Sequence, residues 1–246
     1  MKIVYHGRFR EVYSSDPAAA PGRIECILSE LRETYEFVEP EPASEEDLKL
    51  VHTLGHIERV KRTKVFDIAL LAVGGAIKAG ELAVRGEPAF ALIRPPGHHA
   101  NPDHSWGFCY FNNIAIAVEK LRSPGKIRKV FIVDFDLHFG DGTNAIFSRN
   151  PEVTYYHLPR MNALKELERT LDAVKECDLL AVSAGFDRHI EDWGRMLTTE
   201  DYAKIGRILR NFSLKVCGGR RFAVLEGGYN HKVLGKNVKA FLETFK

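Results

Sequence analysis

The feature of this chain that most restricts its fold is a short apolar run that opens directly into acidic and imidazole side chains. Residues 130–133 read Val-Phe-Ile-Val, which is typical of a strand buried on both faces of a parallel sheet. Asp134, Asp136 and His138 follow at two-residue spacing, so a continued extended backbone points all three side chains the same way. Because buried carboxylates are costly without a positive charge among them, the segment predicts a divalent metal site.

Short apolar runs alternate with segments of helical periodicity along the rest of the chain. The predicted strands are residues 2–5, 89–93, 130–133, 153–156, 179–183 and 222–225. The predicted helices are residues 24–35, 65–84, 114–121, 164–176 and 201–217. This alternation predicts an α/β fold, a three-layer open sheet that is mainly parallel with helices on both faces. The acidic segment 36–47, with two prolines, is expected to be a surface loop within one domain.

Composition and charge point to an ordinary globular chain. Its 246 residues are enough to bury a substantial core, and 35 basic against 33 acidic residues leave a formal charge of only +2. This balance is not that of a dedicated nucleic-acid binder, so we expect no direct nucleic-acid binding. The longest uncharged apolar run, 68–77, is far shorter than the roughly 20 residues that span a bilayer, so we expect no membrane segment. Four cysteines without paired short spacing, and no secretory leader before them, favour a cytoplasmic location.

Three further predicted strands also end in polar or glycine-rich segments. These segments are 94–99 (Arg-Pro-Pro-Gly-His-His), 184–187 (Ala-Gly-Phe-Asp) and 226–229 (Glu-Gly-Gly-Tyr). Ligands of open α/β sheets bind beyond the carboxyl ends of the strands, so we expect all four segments to converge on one site. Two carboxylates and one imidazole with an open fourth position are typical of a catalytic metal, and we predict Asp136, His138 and Asp187 as its ligands.

The same segments supply candidates for proton transfer. His98 and His99 follow a stiff Pro-Pro-Gly turn, and either can serve as a general base if Asp134 or Asp141 orients its other ring nitrogen. The alternative for the histidines is a solvated loop pair, and Asp141 can also cap the helix that follows it. Tyr229, after two glycines, lies where a phenol can donate to a developing oxyanion, or it is simply a packed aromatic.

Six motifs in order resemble the histone deacetylase and acetylpolyamine amidohydrolase superfamily. The motifs are residues 94–99, 107–113, 134–138, 140–143, 184–187 and 226–230, with weaker similarity at 21–25 and 51–53. The resemblance covers most of the chain. It implies that residues 1–246 form a single deacetylase-like catalytic domain of the arginase/deacetylase-like fold.

The resemblance also implies a role for each matched residue. Asp136, His138 and Asp187 look like zinc ligands, and other divalent metals are possible. His98 and His99 look like the tandem histidines partnered by Asp134 and Asp141 respectively, with His99 the better candidate for the general base. Tyr229 looks like the carbonyl-polarising tyrosine, and Gly107 and Phe108 look like substrate-binding residues. The implied reaction is zinc-dependent removal of an acetyl group from an N-acylated amine, such as acetyl-lysine or an acetylpolyamine.

Departures from the family pattern concern the surroundings of the site. Phe139 stands where many members have a histidine, which predicts a more apolar floor. His157 stands where a hydroxyl residue is common, which leaves a structural monovalent-cation site near Asp134 open. Segments 56–72 and 156–179 are brief and a rim carboxylate has no clear counterpart, so the mouth is predicted to be open and shallow. Trp193 and Met196 either replace part of the missing wall or pack in the interior.

Two other functions compete with this interpretation. An arginase-like ureohydrolase holds two manganese ions, which requires further carboxylates near the last ligand, whereas Asp187 is followed by Arg188 and His189. A catalytically weak acyl-lysine-binding module would keep the pocket without turnover, yet every expected catalytic residue is present.

Overall fold

In the computed structural model, which describes residues 1–122 and 127–246, seven strands form one parallel sheet. The strands are β1 (Lys2–Val4), β2 (Glu36–Val38), β3 (Ala89–Ala91), β4 (Val130–Asp134), β5 (Val153–His157), β6 (Leu179–Ala184) and β7 (Arg221–Leu225). Their order across the sheet is β2-β1-β3-β7-β6-β4-β5, and every registered pair is parallel. The predicted α/β class and parallel sheet are therefore confirmed.

Helices connect the strands and cover both faces of the sheet. They are α1 (Arg23–Leu31), α2 (Glu45–Leu48), α3 (Leu54–Lys61), α4 (Phe66–Val84), α5 (Asn113–Arg122), α6 (Asp141–Phe147), α7 (Ala163–Ala173), α8 (Thr199–Val216) and α9 (His231–Phe245). Within the described part of the chain, none of these helices combines the length and the apolar character that crossing a membrane requires.

Alternate residues of each strand face different helical layers. In β4, Val130 and Ile132 pack in the cluster formed with α4 and α5, whereas Phe131 and Val133 pack in the cluster formed with α1, α7, α8 and α9. The side chains of a strand point to opposite faces in turn, so a strand between two helical layers must be apolar at every position. The uninterrupted apolar run at 130–133 follows from this requirement.

The prediction that residues 36–47 form a surface loop was wrong in part. Residues 36–38 form β2, which pairs with β1 at the edge of the sheet, and α2 begins after a capping box between Ser44 and Asp47. A strand of three residues at the edge of the sheet is too short for the alternation of apolar and polar side chains to be visible in the sequence. Helix α9 was also not predicted, although its apolar residues recur along one buried face at helical spacing, at Leu234, Val238, Phe241, Leu242 and Phe245.

The four strands that end in polar or glycine-rich segments are neighbours, in the order β3-β7-β6-β4. Their carboxyl ends therefore meet at one edge of the sheet. Phe135 and Phe186 fix two of the loops that leave this edge, since their rings contact each other at 5.6 Å between centroids. Phe135 also packs on Tyr202 and Phe241, at 6.0 and 5.2 Å. Burial of these aromatic rings holds the loops that carry the acidic residues.

We expect Phe135→Ala to lower the free energy of unfolding by about 3 to 5 kcal/mol, because it leaves a cavity among fully buried aromatic side chains. Phe139→Ala is the matched control in the same loop, since Phe139 is 49 % exposed, and it should cost less than about 1 kcal/mol. Urea unfolding followed by circular dichroism measures both values. Equal values for the two variants would contradict the anchoring role of Phe135.

Candidate active site

Asp136, His138 and Asp187 lie together at the carboxyl edge of the sheet. One ligand atom from each lies within 4.8 Å of the other two, and this is the group of potential metal ligands found among residues 1–122 and 127–246. Asp136 and Asp187 are buried, whereas the His138 side chain is 38 % exposed and faces the open side. The structure therefore brings together the three residues that the sequence predicted as ligands.

The local electrostatics fit a cation at this position. Burial, followed by the neighbouring Asp136, raises the pKa of Asp187 to about 6. The carboxylates of Asp136 and then Asp187 raise the pKa of His138 to about 9. Asp187 Oδ2 is buried without a hydrogen-bond partner. Two carboxylate oxygens and one imidazole nitrogen suit zinc or another divalent ion with an open coordination position.

Two glycines allow the ligand loops to approach each other closely. A Cβ atom at Gly185 would lie 2.1 Å from Asp136 Oδ2, and one at Gly227 would lie 2.5 Å from the same oxygen. The Gly227 N–H instead donates to Asp136 Oδ2 at 2.8 Å, and the Leu137 N–H donates to Asp187 Oδ1 at 2.9 Å. Backbone groups therefore hold both carboxylates in place.

The two histidines are buried and paired with separate carboxylates, as the sequence predicted. His98 Nδ1 lies 3.0 Å from Asp134 Oδ2, and His99 Nδ1 lies 2.7 Å from Asp141 Oδ1. A carboxylate at Nδ1 favours the proton on that nitrogen and leaves Nε2 free for chemistry. The predicted alternative of a solvated loop pair was wrong, since both rings are about 3 % exposed.

The environments of the two rings shift their pKa values in opposite directions. Burial opposes the charged form of His98, but the carboxylates of Asp136 and Asp134 outweigh it and raise the pKa of His98 well above its usual value. Burial, followed by the neighbouring His98, lowers the pKa of His99 to about 4. His99 is therefore the neutral imidazole of the pair near pH 7.

Sequence reasoning missed the groups that hold the paired carboxylates. The Tyr155 hydroxyl donates to Asp134 Oδ2 at 2.9 Å. Asn101 Nδ2 donates to Asp141 Oδ2 at 2.7 Å, and Trp106 Nε1 donates to both Asp141 oxygens at 3.1 and 3.0 Å. The Trp106 ring also lies 3.9 Å from the His99 ring. Asp141 is the first residue of α6, and its side chain makes no capping bond, so the predicted capping role is not realised.

Glu226 links the loop after β7 to the histidine loop, a role that the sequence did not indicate. Its fully buried carboxylate accepts from the N–H groups of Gly97 at 2.8 Å and His98 at 3.3 Å. The Ser183 hydroxyl donates to its other oxygen at 3.1 Å. Burial raises the pKa of Glu226 to about 7. The available signal was only that an acid preceded Gly-Gly-Tyr in the matched motif.

A small cavity lies directly beside these groups. Its volume is about 130 Å³, and it is lined by Pro96, His98, His99, Trp106, Gly107, Phe108, His138, Trp193, Gly227 and Tyr229. Gly107 and Phe108 both have positive φ angles, of 59° and 67°, a strained turn that brings them to the cavity. A Cβ atom at Gly107 would lie 2.4 Å from the His99 ring.

Tyr229 forms one wall of the cavity and is held on several sides. Its ring stacks on Trp193 at 4.0 Å, and the Arg23 guanidinium lies 5.4 Å from its centroid. The Asp192 carboxylate accepts from the N–H groups of Tyr229 and Asn230, both at 2.8 Å. Burial, followed by Asp136, raises the pKa of Tyr229 well above its usual value, so the phenol remains a donor.

The structure decides between the alternatives for the neighbouring side chains. Trp193 is half-exposed and lines the cavity, whereas Met196 packs against an interior cluster. Phe139 does not line the cavity among the described residues; its ring packs against Tyr155 and His157, each at 5.6 Å. Phe139 instead lines a neighbouring pocket with Trp106, His138 and Asp141, so its effect on the polarity of the floor stays a prediction.

Comparison with known proteins places this arrangement in a family. A family model described as the histone deacetylase domain matches residues 18–166 and 160–245. The chain belongs to the histone deacetylase family. Its sequence is 32 % identical to a probable deacetylase of Methanothermobacter thermautotrophicus, over 90 % of this chain and 83 % of that protein. It is also 32 % identical to a probable deacetylase of Archaeoglobus fulgidus, over 93 % of this chain and 81 % of that protein.

The solved structures confirm the fold of this histone deacetylase family member. The HDA15 HD domain superposes with a TM-score of 0.88 over 99 % of this chain and 88 % of that chain, at 23 % identity. The alignment with the Methanothermobacter relative extends over 280 residues, although it spans only 90 % of this 246-residue chain. That relative therefore carries residues inside the aligned region that this chain lacks.

We expect zinc binding to release about one proton per site at pH 7.5, because His138 with a pKa of about 9 is then protonated and an imidazole binds metal only when neutral. The apparent zinc affinity should accordingly rise about tenfold per pH unit between pH 7 and 8. Calorimetric titration of chelator-treated protein in buffers of different ionisation enthalpy measures the proton count. A count near zero would remove His138 as the group that exchanges its proton for metal.

Proposed function

We propose that this chain is a zinc-dependent amidohydrolase that removes an acetyl group from an N-acylated amine, such as acetyl-lysine or an acetylpolyamine. Membership of the histone deacetylase family supports hydrolysis of an amide. The observation that carries the proposal is that His138, His99 and Tyr229 line the same small cavity. A metal-ligand group, a neutral base and an oxyanion donor therefore lie within reach of one bound amide.

The first step is attack of a water molecule on the amide carbonyl, and it uses the candidate ligands and His99. Asp136, His138 and Asp187 would hold the ion, which when bound polarises the amide carbonyl and makes a water more acidic. His99 takes the proton from the attacking water, since its lowered pKa leaves it neutral near pH 7 and the Asp141 carboxylate at Nδ1 stabilises the imidazolium that forms. The proton then passes to the nitrogen of the leaving amine as the C–N bond breaks. The products are a free amine and acetate.

Tyr229 acts on the carbonyl oxygen. As the carbonyl carbon becomes tetrahedral, negative charge develops on its oxygen, and the protonated phenol donates a hydrogen bond to it. Asp192 holds the Tyr229 backbone and Trp193 holds the ring, so the hydroxyl is positioned before the charge develops. His98 does not act as the base in this scheme. Its raised pKa favours the protonated ring, which places a fixed positive charge beside Asp134 and Asp136.

The cavity supports a narrow, largely apolar acylated chain as the substrate. Phe108 and Tyr229 meet edge to face at 6.0 Å, and Phe108 and Trp193 at 6.5 Å. An aromatic slot of about 130 Å³ suits an acetyl group and part of a methylene stem. Acylated lysine and acylated polyamines share this stem, and either fits the slot.

The geometry does not favour the ureohydrolase alternative. A second metal would require further carboxylates beside Asp187, and the next two along that loop are Glu191, which is exposed, and Asp192. Asp192 accepts hydrogen bonds from the Tyr229 and Asn230 N–H groups instead of facing the ligand group. Among residues 1–122 and 127–246, the contacts of His99, Asp141 and Tyr229 are those expected of a catalytic site and do not favour a binding module without turnover.

Asp187→Ala should lower zinc content from about one ion per chain to near zero, because it removes a buried ligand and leaves two. Asp172→Ala, a change at an exposed carboxylate, is the control and should keep the metal. Metal analysis of the purified proteins is paired with assays of acetate release from an acetyl-lysine peptide and an acetylpolyamine, with and without chelator. About two metals per chain together with guanidino hydrolysis would overturn the proposed function.

Tyr229→Phe should reduce kcat roughly 100-fold while zinc content stays the same, because it removes one oxyanion donor and no ligand. The matched control is Tyr35→Phe, which removes a buried hydroxyl outside the cavity and should leave kcat unchanged. Steady-state kinetics on the better of the two substrates gives the comparison. Equal kcat values for Tyr229→Phe and the unmodified enzyme would mean that the phenol has another role.

A further inference from the structure

The Arg188 side chain is fully buried directly behind the candidate metal ligands. Its Nε donates to the Asp136 carbonyl oxygen at 2.9 Å, and one terminal nitrogen donates to the Pro159 carbonyl oxygen at 2.9 Å. The other terminal nitrogen donates to the Leu158 carbonyl oxygen and to His157 Nε2, the latter at 3.0 Å. One guanidinium thus binds four acceptors, one in the chain after β4 and three at the end of β5 and directly after it.

A converging set of carbonyl oxygens beside buried carboxylates is an environment for a cation. Carbonyl oxygens are the groups that replace the hydration shell of a monovalent ion in proteins. Burial lowers the pKa of Arg188, and the carboxylates of Asp136, Asp134 and Asp187 oppose this shift by favouring the charged form. Removing such a charge would leave the carbonyl groups and the acids without compensation in a buried region.

The guanidinium is also positioned to control ligand geometry. Arg188 binds the backbone carbonyl of Asp136, which is a candidate metal ligand. Arg188 also directly follows Asp187, a second candidate ligand, in the chain. The Arg188 carbonyl accepts from the N–H groups of Met196 and Leu197 at 2.9 and 2.8 Å, so the backbone that carries it is fixed. Movement of this side chain would therefore displace two of the three candidate ligands.

We infer that Arg188 is a positioning residue that serves as a built-in monovalent cation, so that the metal centre needs no alkali-metal ion. A histidine at position 157 left open whether a structural monovalent-cation site exists near Asp134. The His157 ring nitrogen accepts a hydrogen bond from the Arg188 guanidinium, so the arginine takes the place of such an ion. The inference rests on the proposed function only in taking Asp136, His138 and Asp187 as the metal site.

The first test uses the unmodified protein. Zinc affinity, measured by competition with a chromophoric chelator, should agree within about threefold in potassium chloride and in tetramethylammonium chloride at equal ionic strength. A loss of affinity beyond this in the alkali-free buffer, restored by potassium, would overturn the inference without any variant. The measurement requires no turnover, so failure to hydrolyse acylated amines would sink the proposed function and leave this result standing.

The second test removes the charge and supplies it again. Arg188→Met should lower zinc affinity roughly 10- to 100-fold in tetramethylammonium buffer, the usual range for groups that orient metal ligands. Potassium or guanidinium ions at millimolar concentration should restore part of the loss, and Arg188→Lys should lose less than Arg188→Met. Unchanged zinc affinity in a folded Arg188→Met protein would overturn the inference. If Arg188→Met does not fold in any salt, Arg188→Lys decides by the same readout.

Arg221→Met is the matched control. Arg221 is also buried and donates to the carbonyl oxygens of Phe245 and Gly219, but it lies at the amino end of β7, away from the metal ligands. Its replacement should lower stability without making zinc affinity depend on potassium. The same potassium dependence in Arg221→Met would show that loss of any buried arginine produces it, and would overturn the specific role of Arg188.

Discussion

The structure depends on the burial of four carboxylates at one edge of a parallel sheet. Asp134, Asp136, Asp187 and Glu226 are each at most about 1 % exposed, and all four follow or end the neighbouring strands β4, β6 and β7. Burying an ionised carboxylate is unfavourable unless donors or cations surround it. The environment of each acid therefore decides what it can do. Asp134 binds a ring nitrogen, Glu226 binds backbone N–H groups, and the other two are left for a cation.

Groups from one loop hold the next loop throughout the site. Arg23 donates to the carbonyl oxygens of Gly228 at 2.8 Å and Glu226 at 2.6 Å, and its guanidinium lies over Tyr229. Glu226 in turn holds the backbone of His98. Arg188 connects the loops after β4 and β5. Guanidinium groups suit this work because their planar set of donors can bind several carbonyl oxygens at once while remaining charged.

The sequence predicted the sheet and the central members of the site, and physical reasons explain where it failed. The run 130–133 predicted strand β4, and Asp134, Asp136 and His138 do come together at its end, but the expected extended continuation was wrong, because β4 ends at Asp134 and the chain bends at residues 136–138. The support from Trp106 could not be predicted, because an indole that bonds to a distant carboxylate leaves no periodic pattern. Strand β2 was missed because edge strands are short and half-polar.

Pairing partners were easier to predict than their consequences. Two histidines and two spare carboxylates matched in number, and the geometry pairs them as expected. The opposite pKa shifts of His98 and His99 depend instead on burial and on Asp136, which no count of residues reveals. The contacts of Phe139 could not be predicted for a related reason, since its ring packs on Tyr155 and His157, which belong to strand β5.

The close approach of Gly185 and Gly227 to Asp136 restricts which residues these two positions can hold. A Cβ atom at either position would lie within 2.5 Å of Asp136 Oδ2, closer than atoms can approach without a shift of the structure. Even an alanine at 185 or 227 would therefore push a candidate ligand out of place, so the geometry of the site fixes residues that do no chemistry themselves.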